Sequence, residues 1–157
     1  MAAAPPLPEI SVKHIPGCTE YKPPVLYFGW YLELEPLLKW AAENGIDTTK
    51  RYWPGPNKPV IEEPNSILAV TTPEAMKTLV EKAGTPHLKL ELELGVRAGA
   101  HLLISISSNY RFLKDRKSIT RCHINALDKY LKEHGIVVDS PAWHIDLKHF
   151  KWVQIYQ

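Results

Sequence analysis

"SILAVT", residues 66–71, is the stretch on which the fold turns. It is apolar on both faces, which suits a central strand covered on two sides. The chain beyond it is regular. Thr72 caps a helix with Pro73 at its first position; Ala75, Met76, Leu79, Val80 and Ala83 face inward, and Gly84 stops it. "HLKLELEL" (87–94) alternates, with Leu88, Leu90, Leu92 and Leu94 inward and Lys89, Glu91 and Glu93 outward. That is a one-sided strand whose charges protect an edge. "GVRAG" turns the chain into an antiparallel partner, "AHLLISISS" (100–108). "SITRCHINALDKYLKEHG" (118–135) is the longest helix, and "IVV" leads to a closing strand.

From residue 66 this order is β-α-β-β-α-β. It predicts an α+β protein with a ferredoxin-like core over about residues 66–157. The alternative is a less regular α+β sheet with the same elements.

An amino-terminal strand–helix unit extends the core. "VLYFGWYLEL" (25–34) places Leu26, Phe28, Trp30 and Leu32 on one face and Tyr27, Gly29 and Tyr31 on the other. "EPLLKWAAENG" is a short helix with Leu37, Leu38 and Ala41 inward and Gly45 at its end. Eleven of the fourteen prolines fall in residues 1–64, so this third is the irregular one. Residues 1–24 read as a Pro-rich tail, and 25–157 as a single domain with a long irregular loop at 47–65. A loop of that length covers something or is disordered.

Composition sets the class. The chain has 157 residues, 45% hydrophobic and 23% charged, which is ordinary for one globular domain. The longest apolar run, "VLYFGWYL" (25–32), is far short of a membrane span. The start has no basic n-region or apolar h-region, no N-x-Ser/Thr acceptor occurs, and Cys18 and Cys122 form no scaffold. The expectation is an intracellular, cytoplasmic protein with free thiols and no membrane partner.

The net charge of +2 is uneven. Residues 110–157 hold nine basic against five acidic side chains, while 1–64 hold six against eight. Nucleic acid is nevertheless disfavoured. A sheet that reads single-stranded RNA needs stacking aromatics on its central strands, and "SILAVT" and "HLLISIS" have none.

Candidate sites are three. "RFLKDRKSITR" (111–121) ends at a helix start, where Arg116, Lys117 and Arg121 could surround an anion on the free amides of residues 119–121. The same run also reads as a merely solvated basic turn. Tyr27-x-Gly29-x-Tyr31 leaves a slot between two rings, and the long loop supplies Tyr52 and Trp53 among Pro54, Pro56 and Pro59. These four aromatics form either a ligand groove with a lid or a structural cover, and docking of Trp53 on the Tyr27/Tyr31 face is the expectation.

The third is "AWHIDLKHFKWVQIYQ" (142–157). As a strand it points Trp143, Ile145 and Leu147 into the core and lines the outer face with His144, Asp146 and Lys148. As a helix begun by Ser140-Pro141 it would splay His144 and Asp146 apart. The strand is the better reading, followed by a bend and a second strand, "KWVQIY".

No H-E-x-x-H, paired C-x-x-C, G-x-S-x-G or Gly-rich phosphate loop occurs. No family, cofactor or metal is therefore expected. Two functions remain, one catalytic and one not. The favoured one is a non-catalytic binding module using the Tyr27/Tyr31/Trp53 groove or the sheet edge, for a protein or small-molecule ligand. The other is a small hydrolase or phosphate-ester enzyme with His144 as acid/base, Asp146 as its orienter and Arg116 or Arg121 on an anion.

Overall fold

The computed structural model describes residues 7–18, 22–97 and 99–146, with residues 96, 97, 99 and 100 described by backbone alone. The strand expected at "KWVQIY" lies outside the described residues. After a 3-10 turn at Val12–His14 the chain forms β1 (Leu26–Tyr31), α1 (Leu34–Glu43), β2 (Lys50–Tyr52) and β3 (Ile61–Glu63). Then come α2 (Ile67–Val70), α3 (Pro73–Lys82), β4 (Glu91–Arg97), β5 (Gly99–Ser108), α4 (Phe112–Asp115), α5 (Arg121–Glu133) and β6 (Ala142–Ile145). The protein is α+β.

"SILAVT" is not a strand. Residues Ile67–Val70 make one helical turn, with Ala69 N–H donating to Ser66 O and Thr71 Oγ1 to Ile67 O. Only Val70 of the four is fully buried, and Leu68 is exposed. A short apolar run fits a buried strand and a packed helical turn equally well. The Thr72-Pro73 cap comes next, as expected, with Thr72 Oγ1 accepting from Ala75 N–H.

A central place in the sheet is taken instead by β1. The four-stranded sheet runs β4-β5-β1-β6, every neighbouring pair antiparallel. From β1 the chain passes through α1 to α3 and returns two places away at β4, with β5 between. From β5 it passes through α4 and α5 and returns at β6, with β1 between.

The long loop also differs from expectation. Within 47–65, β2 and β3 pair as a separate two-stranded sheet with Tyr52 opposite Ile61.

One face of the four-stranded sheet carries the helices. Phe28 and Trp30 of β1 and Ile104 and Ile106 of β5 meet Leu37, Trp40 and Ala41 of α1, Leu79 of α3 and Leu127 and Leu131 of α5. Both central tryptophans are enclosed and have partners for their indole N–H groups. Trp30 Nε1 donates to Asp128 Oδ1 at 2.9 Å and Trp40 Nε1 to Tyr130 OH at 2.8 Å. Burial of such rings supplies much of the hydrophobic term without an unsatisfied donor. The two look-alike helix ends, "ENGI" and "EHGI", share one device. Gly45 and Gly135 take positive φ, and the next residue donates back, Ile46 N–H to Ala41 O and Ile136 N–H to Leu131 O.

Within the stretch read as a tail, Leu7 and Ile15 belong to the core. Asn109, itself buried, fastens this segment. Its amide donates to His14 O and Pro24 O, while Oδ1 accepts from Leu26 N–H.

Gly29 marks the tightest approach in the sheet. Phe28 faces Ser107 but Gly29 faces Ser105, which leaves Ile106 as an extra residue in β5. A Cβ on Gly29 would stand 1.9 Å from Ile104 O. The glycine at the centre of the expected aromatic slot therefore admits the neighbouring backbone.

Candidate functional site

The second face of the sheet gathers four of the nine candidate residues singled out from the sequence. The β1–β6 pairing sets His144 opposite Tyr27, and β4–β5 pairing brings Glu93 beside Leu103 and Gly95 beside His101. A bridge between Gly95 and Asp146 joins the first strand of the sheet to the chain just beyond the last. The sheet thus curls until its two edges touch at one point.

Inside this curl Tyr27 OH donates to Asp146 Oδ2 at 3.3 Å, and Glu93 also hydrogen-bonds the same hydroxyl. Asp146 is buried. Burial first, then the charges of Glu93 and Asp146, push the Tyr27 phenol well above its usual range. Tyr31 packs edge-on against His144, ring centroids 4.3 Å apart, and against His101 at 5.8 Å. His144 Nε2 lies 3.2 Å from Gly29 O and so donates to it. The imidazole expected to do acid–base work is held by a backbone carbonyl.

Four expected residues, Tyr27, Tyr31, His144 and Asp146, therefore converge. The others do not join them. Arg116 lies over Phe112, 5.4 Å from the ring centroid, and Phe112 packs on Trp143. Trp143 and His144 are consecutive in a strand and point to opposite faces. The guanidinium and the imidazole are thus on opposite sides of the sheet.

The anion cradle at residues 119–121 is also largely spent. Ile119 N–H donates to Asp115 O, and Thr120 N–H to His123 Nδ1 in a capping box. Arg116 pairs with Glu9 at 3.8 Å, while Lys117 and Arg121 are exposed.

Trp53 does not dock on Tyr27 and Tyr31. It is 66% exposed at the mouth of the β2–β3 hairpin, and its Nε1 donates to Lys58 O at 3.1 Å. The hairpin satisfies the indole N–H by itself, and the space near Tyr31 is closed by Gly95, where a Cβ would come within 3.2 Å of the ring. Tyr52 is exposed beside it.

RNA is disfavoured on grounds other than those expected, because β1 is a central strand and carries Tyr27 and Tyr31. Beside the Tyr27 hydroxyl stand Glu93 and Asp146, whose charge opposes a phosphate backbone.

Sequence reasoning missed Glu93 and His101, since alternation gives a residue's face and not its neighbour two strands away. It also missed a histidine pair. His87 Nε2 lies 3.0 Å from His123 Nδ1, which already accepts from Thr120 N–H, so His87 is the donor. Burial first, then His87, hold His123 below the ordinary histidine range.

The native state consequently binds that proton less readily than the unfolded chain. Its contribution is complete above pH 6.5, the unperturbed value, and is lost as the pH falls through 6.5 toward the depressed value. His123→Gln retains a side chain able to complete the cap. It is expected to flatten the fall in urea midpoint from about pH 6.5 to 5, leaving only the like-signed part from His14. An unchanged slope would remove His123 from this role.

Among the described residues no helix is long and apolar enough to cross a membrane, and no three metal-ligating side chains come together. Comparison with known proteins gave no match, whether to a family model, a curated protein or a solved structure.

Proposed function

We propose that the protein is a non-catalytic interaction module that presents its β2–β3 hairpin to an apolar pocket of a partner protein. The observation that carries this reading is Trp53, 66% exposed yet tethered by its indole N–H to Lys58 O. An exposed tryptophan costs solvation unless something covers it, and one already fixed in place loses little freedom on binding. Tyr52, Val60 and Ile61 are exposed beside it. Arg51 of β2 pairs with Asp47 and Glu62, which holds the hairpin in shape. The hydrolase reading has less support, because its acid–base pair and Arg116 lie on opposite sides of the sheet.

A ferredoxin-like core with Leu26–Tyr31 as its first strand is part of the same proposal. It is supported by the β4-β5-β1-β6 order and its antiparallel neighbours. An intracellular setting agrees with Cys18 and Cys122 as free, exposed thiols.

The test is photo-crosslinking from position 60, identification of the product, and binding of that purified partner. Trp53→Ala is expected to weaken binding at least about thirtyfold, the loss typical of a hot-spot residue, with an unchanged melting temperature. Equal affinity for both chains would overturn the assignment to the hairpin.

A further inference from the structure

A second surface lies away from the hairpin. Beside β4, a groove of about 730 Å³ runs between that strand and α3, lined by Met76, Val80, Leu88, Leu90 and Leu92. On its outer side β4 makes, among the described residues, only the antiparallel bridge from Gly95 to Asp146. We propose that this edge binds an extended peptide of a partner protein as an added antiparallel strand, with basic and apolar residues alternating along it.

The direction comes from the bridge. Main chain already approaches this edge antiparallel at Gly95, and an edge strand offers a row of donors and acceptors to any chain that continues the pairing. The alternation comes from β4 and the residues that lead into it. Leu88 and Leu90 are buried on the groove side, so the added strand meets apolar surface there. On the opposite face Glu91 and Glu93 lie with Asp146 close by; Lys89 and Arg111 pair with Glu91, so the three carboxylates outnumber the two cations and a basic side chain there finds a small excess of negative charge. Successive residues of a strand point to opposite faces, and a peptide of alternating lysine and valine or leucine satisfies both sides at once. The charges of β4 do not block the edge outright. Lys89 is drawn to Glu91 at 3.1 Å, and Glu93 is engaged with Tyr27.

The experiment titrates isotopically labelled full-length protein with the acetylated, amidated hexapeptide Lys-Val-Lys-Leu-Lys-Val. Amide signals of residues 88–94 are expected to shift in a saturable manner. The same peptide N-methylated at alternate residues, which cannot donate along one edge, is expected to bind at least about tenfold more weakly, a loss of roughly 1.4 kcal/mol. A Glu-Val-Glu-Leu-Glu-Val peptide is expected to show no saturable shift. Equal binding of the N-methylated peptide would overturn strand addition, and equal binding of the acidic peptide would overturn the charge assignment. Trp53→Ala is expected to leave the titration unchanged, so this inference and the hairpin reading fail separately.

Discussion

Gly29→Ala is expected to destabilise the protein by at least about 3 kcal/mol, beyond the ordinary range for a single substitution. The alanine Cβ would meet Ile104 O at 1.9 Å, Ser105 Cα at 2.7 Å and Ile104 C at 2.8 Å. All three are backbone atoms, so no rotamer change relieves the clash. β1 lies between β5 and β6, and moving it off β5 disturbs the pairing on both sides. Gly95→Ala is the control. There the nearest atom is the edge of the Tyr31 ring at 3.2 Å, a side chain that can yield, and a loss nearer 1 kcal/mol is expected. Urea unfolding followed by circular dichroism measures both. A Gly29→Ala protein as stable as the parent would mean that Gly29 does not face Ser105.

The second large effect separates two tryptophans. Trp30→Ala is expected to cost about 3–5 kcal/mol, the range for a well-packed large side chain. Trp30 is fully buried between the sheet and the helices, and its loss also strips Asp128 of the indole N–H donor. Trp53→Ala is expected to stay within about 0.5 kcal/mol, as for ordinary surface changes. The same denaturation experiment reads both. A costly Trp53→Ala would return the indole to a structural role and remove the basis for the hairpin reading.

Much of the architecture is legible in periodicity. The face of β1 that holds Phe28 and Trp30, the inward Leu88 and Leu90 before β4, the Thr72 cap and the glycine-terminated helices all come from local pattern, whereas Leu94, expected inward by the same alternation, is exposed. The polar face of β6 at His144 and Asp146 arises in the same way. Residues 66–71 mislead because four apolar residues between Ser66 and Thr71 carry no period long enough to separate a strand from a helical turn. The sheet takes its first strand some forty residues earlier, at Leu26. The hairpin within 47–65 is hidden by its prolines and by strands of only three residues. The burial of Leu7 and Ile15 is invisible because the segment that carries them is fastened by residues distant in the chain, Trp143 at Pro8 O and Asn109 at His14 O and Pro24 O. The convergence of Tyr27, Glu93 and Asp146 needs pairings across several strands, which no local pattern encodes.

The placement of β1 has a consequence for how the chain reaches this state. Its hydrogen-bonded neighbours are β5 and β6, never a strand close in sequence, and Gly29 and His144 are 115 positions apart. Such non-local pairing makes folding slow, because loop closure precedes any reward. At a synthesis rate of roughly 5–20 residues per second, β1 waits on the order of 6–20 s for its last partner to be made. Through that interval Phe28 and Trp30 depend on α1, which begins within three residues and brings Leu37 and Trp40 to cover them. Among the described strands of this sheet, only the β4–β5 hairpin can form early from adjacent partners. The central strand of the sheet is therefore the first to be synthesised and the last to be completed, and α1 serves as its companion in between.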